Sequence, residues 1–251
     1  MTRSEAHDSR PASPGSRPDP GPRRFVLIPG AGGAATWYWQ RVVPLLLDAG
    51  HEAVPVDLPG ADPAAGLPEY ARLAAAAADG HGNAVLVAQS LGGFTAPMAA
   101  AQSAVAGIVL VNAMIPVPGE TPGAWWDNTG QPQARAAAAR QRGYGTEFDL
   151  DTYFLYDVPP QIAATGRDWP EEDAVFESVC DFQAWPPVPV KVVAGADDRL
   201  FPLGFQQRLA RDRLGVEVDV LPGGHLIALA QPEALAHYLI TAPSPKSPIG
   251  R

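Results

Sequence analysis

The sequence predicts an α/β protein: a doubly wound, mostly parallel sheet of about six strands, carrying one long insertion. Three observations carry that expectation. Short apolar runs recur along the chain without the polar alternation of a half-exposed strand, so both of their faces are buried. Helical patterns separate these runs, as parallel strands require. One stretch, residues 114–186, breaks the rhythm.

FVLI (25–28) reads as the first strand, stopped by Pro29-Gly30. WYWQRVVPLLLDAG follows as a single helix closing on Gly50, a residue suited to the left-handed position after a helix. HEAVPVD gives a strand ending at Asp57, and LPEYARLAAAAADG a helix ending at Gly80. NAVLVA (83–88) is the next strand, followed after Gln89 by Ser90 and the alanine-rich helix LGGFTAPMAAAQSA. AGIVLVNA (106–113) is the fourth strand. After the insertion, VPVKVVAG (188–195) and VEVDVLPGG (216–224) are two more strands, with LGFQQRLARDRL between them as a helix. QPEALAHYLI closes the fold as a last helix.

The insertion holds one alanine-rich helix, Gln133–Arg142, and most of the aromatic residues, among them Trp125, Trp126, Phe148, Tyr153, Phe154 and Phe176. A connection of that length is more often functional than decorative, and it is expected to be a lid. The domain reading is therefore a core of 24–113 and 187–240, a lid of 114–186, and two tails. Residues 1–23 and 241–251 are polar and Pro-rich and are expected to be disordered. The N-terminal tail lacks the apolar segment of a secretory signal, and no run approaches a membrane span.

The 251 residues are 46% hydrophobic and 18% charged, in the range of a globular domain with a substantial core. The tails and Arg24 hold seven of the 18 basic residues but three of the 27 acidic ones, which leaves residues 25–240 at a net charge of −13. So acidic a body repels phosphate backbones and anionic lipid, arguing against nucleic-acid and membrane partners. The single Cys180 excludes an internal disulfide and multi-cysteine metal sites, and it is expected to be inert. The expectation is a cytoplasmic protein acting on a small molecule, with no metal and no cofactor; association into a homodimer stays open.

In parallel sheets the reactive groups collect at the carboxyl ends of the strands. There lie Pro29-Gly30-Ala31-Gly32-Gly33, Asp57, Ser90, Asn112, Asp197-Asp198 and His225. Between Phe25 and Ile240 the chain has only three serines, so Ser90 in A-x-S-x-G between strand and helix stands out. It is either a helix N-cap or a nucleophile on a sharp strand-to-helix turn, where flanking residues must be small. A serine hydroxyl needs a base and the base an orienting acid, and the chain supplies Ser90, an Asp pair and His225 in that order. His225, in GGHL, follows a strand; His7, His51, His81 and His237 lie in the tail, in turns and in the closing helix. A tetrahedral intermediate also needs N–H donors, which Leu91 at the helix start and Ala31 in the tight PGAGG loop can supply.

Together LIPGAGGAATWYWQRVVPLL, VDLPG, VAQSLGG, GADDRLFP and GGHLIALAQPE resemble the α/β-hydrolase family, most closely its short-N-terminus branch of esterases and hydroxynitrile lyases. The resemblance implies a serine hydrolase with Ser90 as nucleophile, His225 as general base and acid, Asp198 as orienting carboxylate, and Ala31 and Leu91 as oxyanion donors. The resemblance attaches the acid to the G-x-x-D-x-x-x-P spacing, here Gly195 to Pro202, and so implies Asp198 over Asp197, which is then free to brace its loop through Arg199 or backbone N–H groups. Two positions depart from the pattern: Pro29 stands in place of a histidine and Ala88 in place of a glycine. The expected substrate is a small, mostly apolar, neutral ester, lactone or thioester, because the lid's cations are Arg135, Arg140, Arg142 and Arg167 alone.

Three rival readings remain on the page. Gly30–Ala35 fits G-x-G-x-x-A after a strand, with Asp57 as a ribose acceptor, which would suit a dinucleotide-binding oxidoreductase. That reading leaves Ser90, Asp198 and His225 without a purpose. Lyase chemistry on the same fold would need a cation directly after His225, where the chain has Leu226. A non-catalytic ligand receptor would keep the scaffold alone. Trp37, Trp125, Trp126 and Leu226 are candidate pocket walls, the tryptophans being equally readable as packing residues. Asp57 is expected to brace a loop, and Glu120 lies too far past its strand to serve His225.

Overall fold

The computed structural model describes residues 21–166 and 170–241. The expected disorder of the tails falls almost wholly outside the described residues. Strand β1 (Arg24–Ile28) leads through a glycine loop to α1 (Ala35–Tyr38) and α2 (Val42–Asp48), then β2 (Glu52–Pro55) and α3 (Leu67–Ala78). Strand β3 (Ala84–Gln89) runs into α4 (Gly92–Ala100), and β4 (Gly107–Val111) follows. The insertion holds α5 (Pro122–Thr129), α6 (Gln131–Arg142), a π-turn at Asp151–Leu155, α7 (Pro160–Ala163) and α8 (Asp173–Glu177). The chain returns as β5 (Val190–Gly195), α9 (Leu203–Leu214), β6 (Val218–Leu221), α10 (Ile227–Ala230) and α11 (Pro232–Thr241).

The six strands form one sheet in the order β2-β1-β3-β4-β5-β6, and every neighbouring pair is parallel. The unbroken apolar runs have a direct cause. Val26, Ile28, Leu86, Ile108, Leu110 and Val192 feed one buried cluster, whereas Phe25, Leu27, Val85, Val87, Val109, Val111 and Val193 feed another. Alternate residues of each strand thus enter opposite cores. Helices α3, α4 and α9 cover the first face, and α1, α2 and α11 the second.

The single helix expected over 37–50 is two helices. Trp39 is the C-cap of α1, and its carbonyl accepts the N–H groups of both Val42 and Val43 as the chain turns into α2. Pro44 lacks an N–H and fits the first turn of a new helix, not the interior of an old one. The insertion also holds more helix than the alanine-rich stretch alone. Thr121 caps α5, its Oγ1 accepting the Ala124 N–H at 3.1 Å.

The insertion is rooted in both cores. Trp125, Val175, Cys180 and Phe182 belong to the first cluster, and Leu155, Val158 and Ala163 to the second. Trp125 is fully buried against Trp126, Phe201 and Phe205, and its Nε1 donates to the Ile115 carbonyl. The expectation of Trp125 as a pocket wall is therefore corrected: the ring packs inside, where a flat apolar surface of that size finds partners on both faces.

Candidate active site

Three strand ends deliver the residues of the expected triad. Ser90 follows β3 directly and has φ 49°, left-handed backbone for a residue with a side chain. Such strain persists only where the surroundings over-determine it. Here they do. A Cβ on Gly93 would fall 1.8 Å from the Met114 carbonyl oxygen, so α4 leaves the serine flush against the chain beyond β4. Ala88, in the place of a glycine, is fully buried in the first core cluster and fits there.

His225, in the loop after β6, presents Nε2 at 3.1 Å from Ser90 Oγ. Its Nδ1 lies 2.9 Å from Oδ2 of Asp198, which follows β5. All three residues are buried. Asp198 faces the imidazole, whereas Asp197 points outward to Arg142 at 3.5 Å. The expected partner Arg199 instead stacks on Tyr144 and Tyr156 and donates to the Thr152 carbonyl. The other oxygen of Asp198, Oδ1, accepts the Leu200 and Phe201 N–H groups, each at 2.8 Å. Phe154 and Phe201 meet the imidazole edge-on from two sides, with ring centroids 4.8 and 5.0 Å away.

Strand β4 supplies none of the three, but the residue at its end bonds to the segments that carry two of them. Asn112 also has positive φ, 45°. Its Nδ2 donates to the Gly224 and His225 carbonyls, and its Oδ1 accepts the Gly195 N–H at 2.7 Å. One buried amide thus ties β4 to the end of β5 and to the histidine loop. Gln206 on α9 donates to Asn112 Oδ1, Asp198 Oδ2 and the Phe201 carbonyl. The sequence marks Asn112 only as a polar residue at a strand end, and Gln206 carries no signal at all.

Ser90 opens on a cavity of about 320 Å³. Ala31 and Leu91 lie in its wall, and among the described residues neither backbone N–H donates to a protein acceptor. Trp37, Trp126 and Leu226 also line it, together with Phe148, Phe154 and Phe176, which the sequence did not single out as pocket residues. Among the described residues the lining includes the polar side chains of Ser90, Gln89 and Tyr38 and no charged residue. Asp57 accepts from both the N–H and the hydroxyl of Thr36, and α1 is a single turn. The G-x-G-x-x-A stretch therefore opens no long helix at which a pyrophosphate could sit, and its acidic residue is engaged locally.

Two carboxylates of the insertion reach backbone amides beside the site. Asp157 Oδ2 accepts the Gly224 N–H at 2.7 Å; burial, followed by the nearby Asp198 and Asp197, raises its carboxyl above the ordinary range. Glu171 accepts the Gly32 N–H and is raised in the same way by burial. Glu120 pairs with Arg213, far from His225 in role. Cys180 is buried, and burial pushes its thiol up to about 12, so it is no nucleophile. Among the described residues no group of three or more His, Cys, Asp or Glu is placed to hold a metal ion, and no helix is long and apolar enough to cross a membrane.

The model of the alpha/beta hydrolase family matches residues 25–238, nearly the whole described chain. The chain belongs to the alpha/beta hydrolase family. This hydrolase is similar in fold to solved structures of low identity. One is a pyrethroid hydrolase from Sphingobium faniae, at 22% identity and a TM-score of 0.65, covering 88% of this chain and 98% of that one. Another is polyneuridine aldehyde esterase, at 18% identity and a TM-score of 0.69, covering 87% and 98%. A methylesterase from Arabidopsis stands at 21% identity and a TM-score of 0.65, covering 88% and 98%. Among curated proteins none matches the hydrolase significantly.

Proposed function

We propose that this chain is a serine hydrolase that cleaves a small, mostly apolar, neutral ester, lactone or thioester through an acyl-enzyme on Ser90. The observation that carries the reading is the buried Ser90–His225–Asp198 hydrogen-bonded chain opening on a cavity that, among the described residues, is aromatic-lined and holds no charge. His225 Nε2 takes the Ser90 proton as Oγ attacks the carbonyl carbon. The oxyanion forms against the Ala31 and Leu91 N–H groups, and His225 then protonates the departing alkoxide or thiolate. Water, deprotonated by the same nitrogen, releases the acid and restores Ser90. Asp198 fixes the Nδ1–H tautomer and stabilises the imidazolium. The insertion serves as a lid whose side chains set the substrate. The hydrolase and esterase activities named for the structural relatives fit this reading. An apolar Leu226 beside His225 favours it over lyase chemistry, since it offers no charge to a cyanide leaving group.

The test is direct. Ser90→Ala is expected to abolish hydrolysis of p-nitrophenyl butyrate and labelling by a fluorophosphonate. Undiminished labelling of the variant would overturn the assignment of the nucleophile.

A further inference from the structure

We infer that Glu171 is a positioning residue for the oxyanion loop, a role that rests on the serine-hydrolase reading above. The loop Gly30–Gly33 carries the Ala31 N–H, one of the two donors. It contains three glycines, of which Gly32 and Gly33 sit at φ 86° and 68°. Glycine reaches such conformations without steric cost but is confined to none of them, so a loop built from it keeps its donor aimed only if its surroundings hold it.

Glu171 is that hold. Its Oε2 accepts the Gly32 N–H at 2.5 Å, the amide next to Ala31, and its Oε1 accepts the hydroxyl of Tyr70. Tyr70 is a fully buried side chain of α3, rooted in the first core cluster. The carboxylate therefore connects a mobile type of sequence to a rigid one. The backbone around it is equally close-fitted. The Glu172 N–H donates to the Gly60 carbonyl at 2.9 Å, and a Cβ on Gly60 would meet Pro170 O at 2.8 Å and Gly32 C at 3.0 Å. Three chain segments, 170–172, 58–60 and 30–33, thus meet within van der Waals contact, with Glu171 as the side chain that bonds across them. The loop's other backbone bonds are Gly33 N–H to Gly30 O at 3.3 Å, Ala35 N–H to Gly33 O at 3.0 Å and, from outside the loop, Leu58 N–H to Gly33 O at 2.8 Å. The Gly33–Gly30 bond holds the Gly30–Ala31 peptide, which carries the donor, at a long 3.3 Å; none of the three holds the next peptide, Ala31–Gly32, on the other side of the Ala31 Cα. Glu171 does, and it is drawn from the insertion, so part of the catalytic geometry is supplied from outside the core.

A side chain that aims a donor acts on the transition state more than on substrate binding. Glu171→Gln keeps an acceptor for the Gly32 N–H and an amide for Tyr70; Glu171→Met removes both at equal length, and Glu171→Ala provides a second removal variant should the first not fold. With p-nitrophenyl butyrate, the removal variants are expected to lose about 10- to 100-fold in kcat with KM nearly unchanged, less than the loss of a whole oxyanion donor. Glu171→Gln is expected to stay within about threefold of the parent. Hydrogen exchange at the Gly32 amide, read by NMR, should accelerate in the removal variants and not in Glu171→Gln. Unchanged exchange at Gly32, a loss confined to KM, or equal losses in Gln and Met would each overturn the proposal. If the parent hydrolyses no ester and Ser90 resists fluorophosphonate, the serine-hydrolase reading fails, and the Gly32 exchange still decides whether Glu171 holds the loop.

Discussion

Asp198→Asn is expected to disable the enzyme by reversing the histidine tautomer. Asp198 Oδ1 accepts two backbone N–H groups at 2.8 Å, from Leu200 and Phe201. An asparagine there must place its carbonyl oxygen in the Oδ1 position, because an NH2 group would meet two donors head-on. Its NH2 then occupies the Oδ2 position, 2.9 Å from His225 Nδ1, and faces Gln206 Nε2 at 3.3 Å as well. Nδ1 can answer a donor only by accepting, so the ring proton moves to Nε2. Nε2–H then donates to Ser90 Oγ in place of receiving its proton. In a serine protease this change of tautomer costs about 10⁴-fold in turnover, about 5.4 kcal/mol of barrier. Asp197→Asn, at a side chain 62% exposed and facing Arg142, is expected to stay within a few-fold of the parent. The assay is kcat for p-nitrophenyl butyrate, with the fold checked by circular dichroism. An Asp198→Asn enzyme within tenfold of the parent, still folded, would refute the tautomer argument.

Trp125→Ala is expected to cost about 3–5 kcal/mol of stability, read by urea unfolding, because it empties a filled core position. Trp126→Ala, at the cavity wall, should instead shift the ranking of acyl chain lengths with a smaller loss of stability. Asp157→Asn is expected to raise Tm at pH 8 and to leave it unchanged near pH 3. The sign follows from the raised carboxyl: the folded state holds that proton more tightly than the unfolded one, so ionised Asp157 costs stability above its folded pKa, and the cost vanishes as pH falls below the ordinary carboxylate range. Thermal scans at the two pH values check it, and an equal gain at both would refute it.

What was legible in the sequence is what local physics writes there. Helix α9 runs from Leu203 to Leu214, as the sequence reading has it, because Pro202 stands at its start and Gly215, at φ 68°, ends it. The strands fall within a few residues of their apolar runs, since burial on both faces leaves no other residue type. The break at Trp39–Arg41 was also written, in Pro44, but apolar periodicity runs straight across it and masks the boundary. Ser90, Asp198 and His225 were findable from order and context. Glu171, Asp157 and Gln206 were not: each bonds across the tertiary structure, in the first two cases to backbone amides 139 and 67 residues away. No period or motif encodes a partner at such separation.

The rooting of the insertion in both cores bears on how this enzyme could be re-engineered. Exchanging the whole of 114–186 for a relative's segment would pull Trp125, Val175 and Phe182 from beneath one face and Leu155 and Val158 from beneath the other, leaving a hollow chassis. If the insertion acts as the proposed lid, such anchoring is expected to keep it from swinging clear as one body, with entry past a smaller doorway. Phe148 and Leu150 line the cavity and yet are 53% and 38% exposed, which places them at its threshold. Libraries confined to that threshold could widen or narrow the passage while the chassis, and the loops it holds in place, stay as they are.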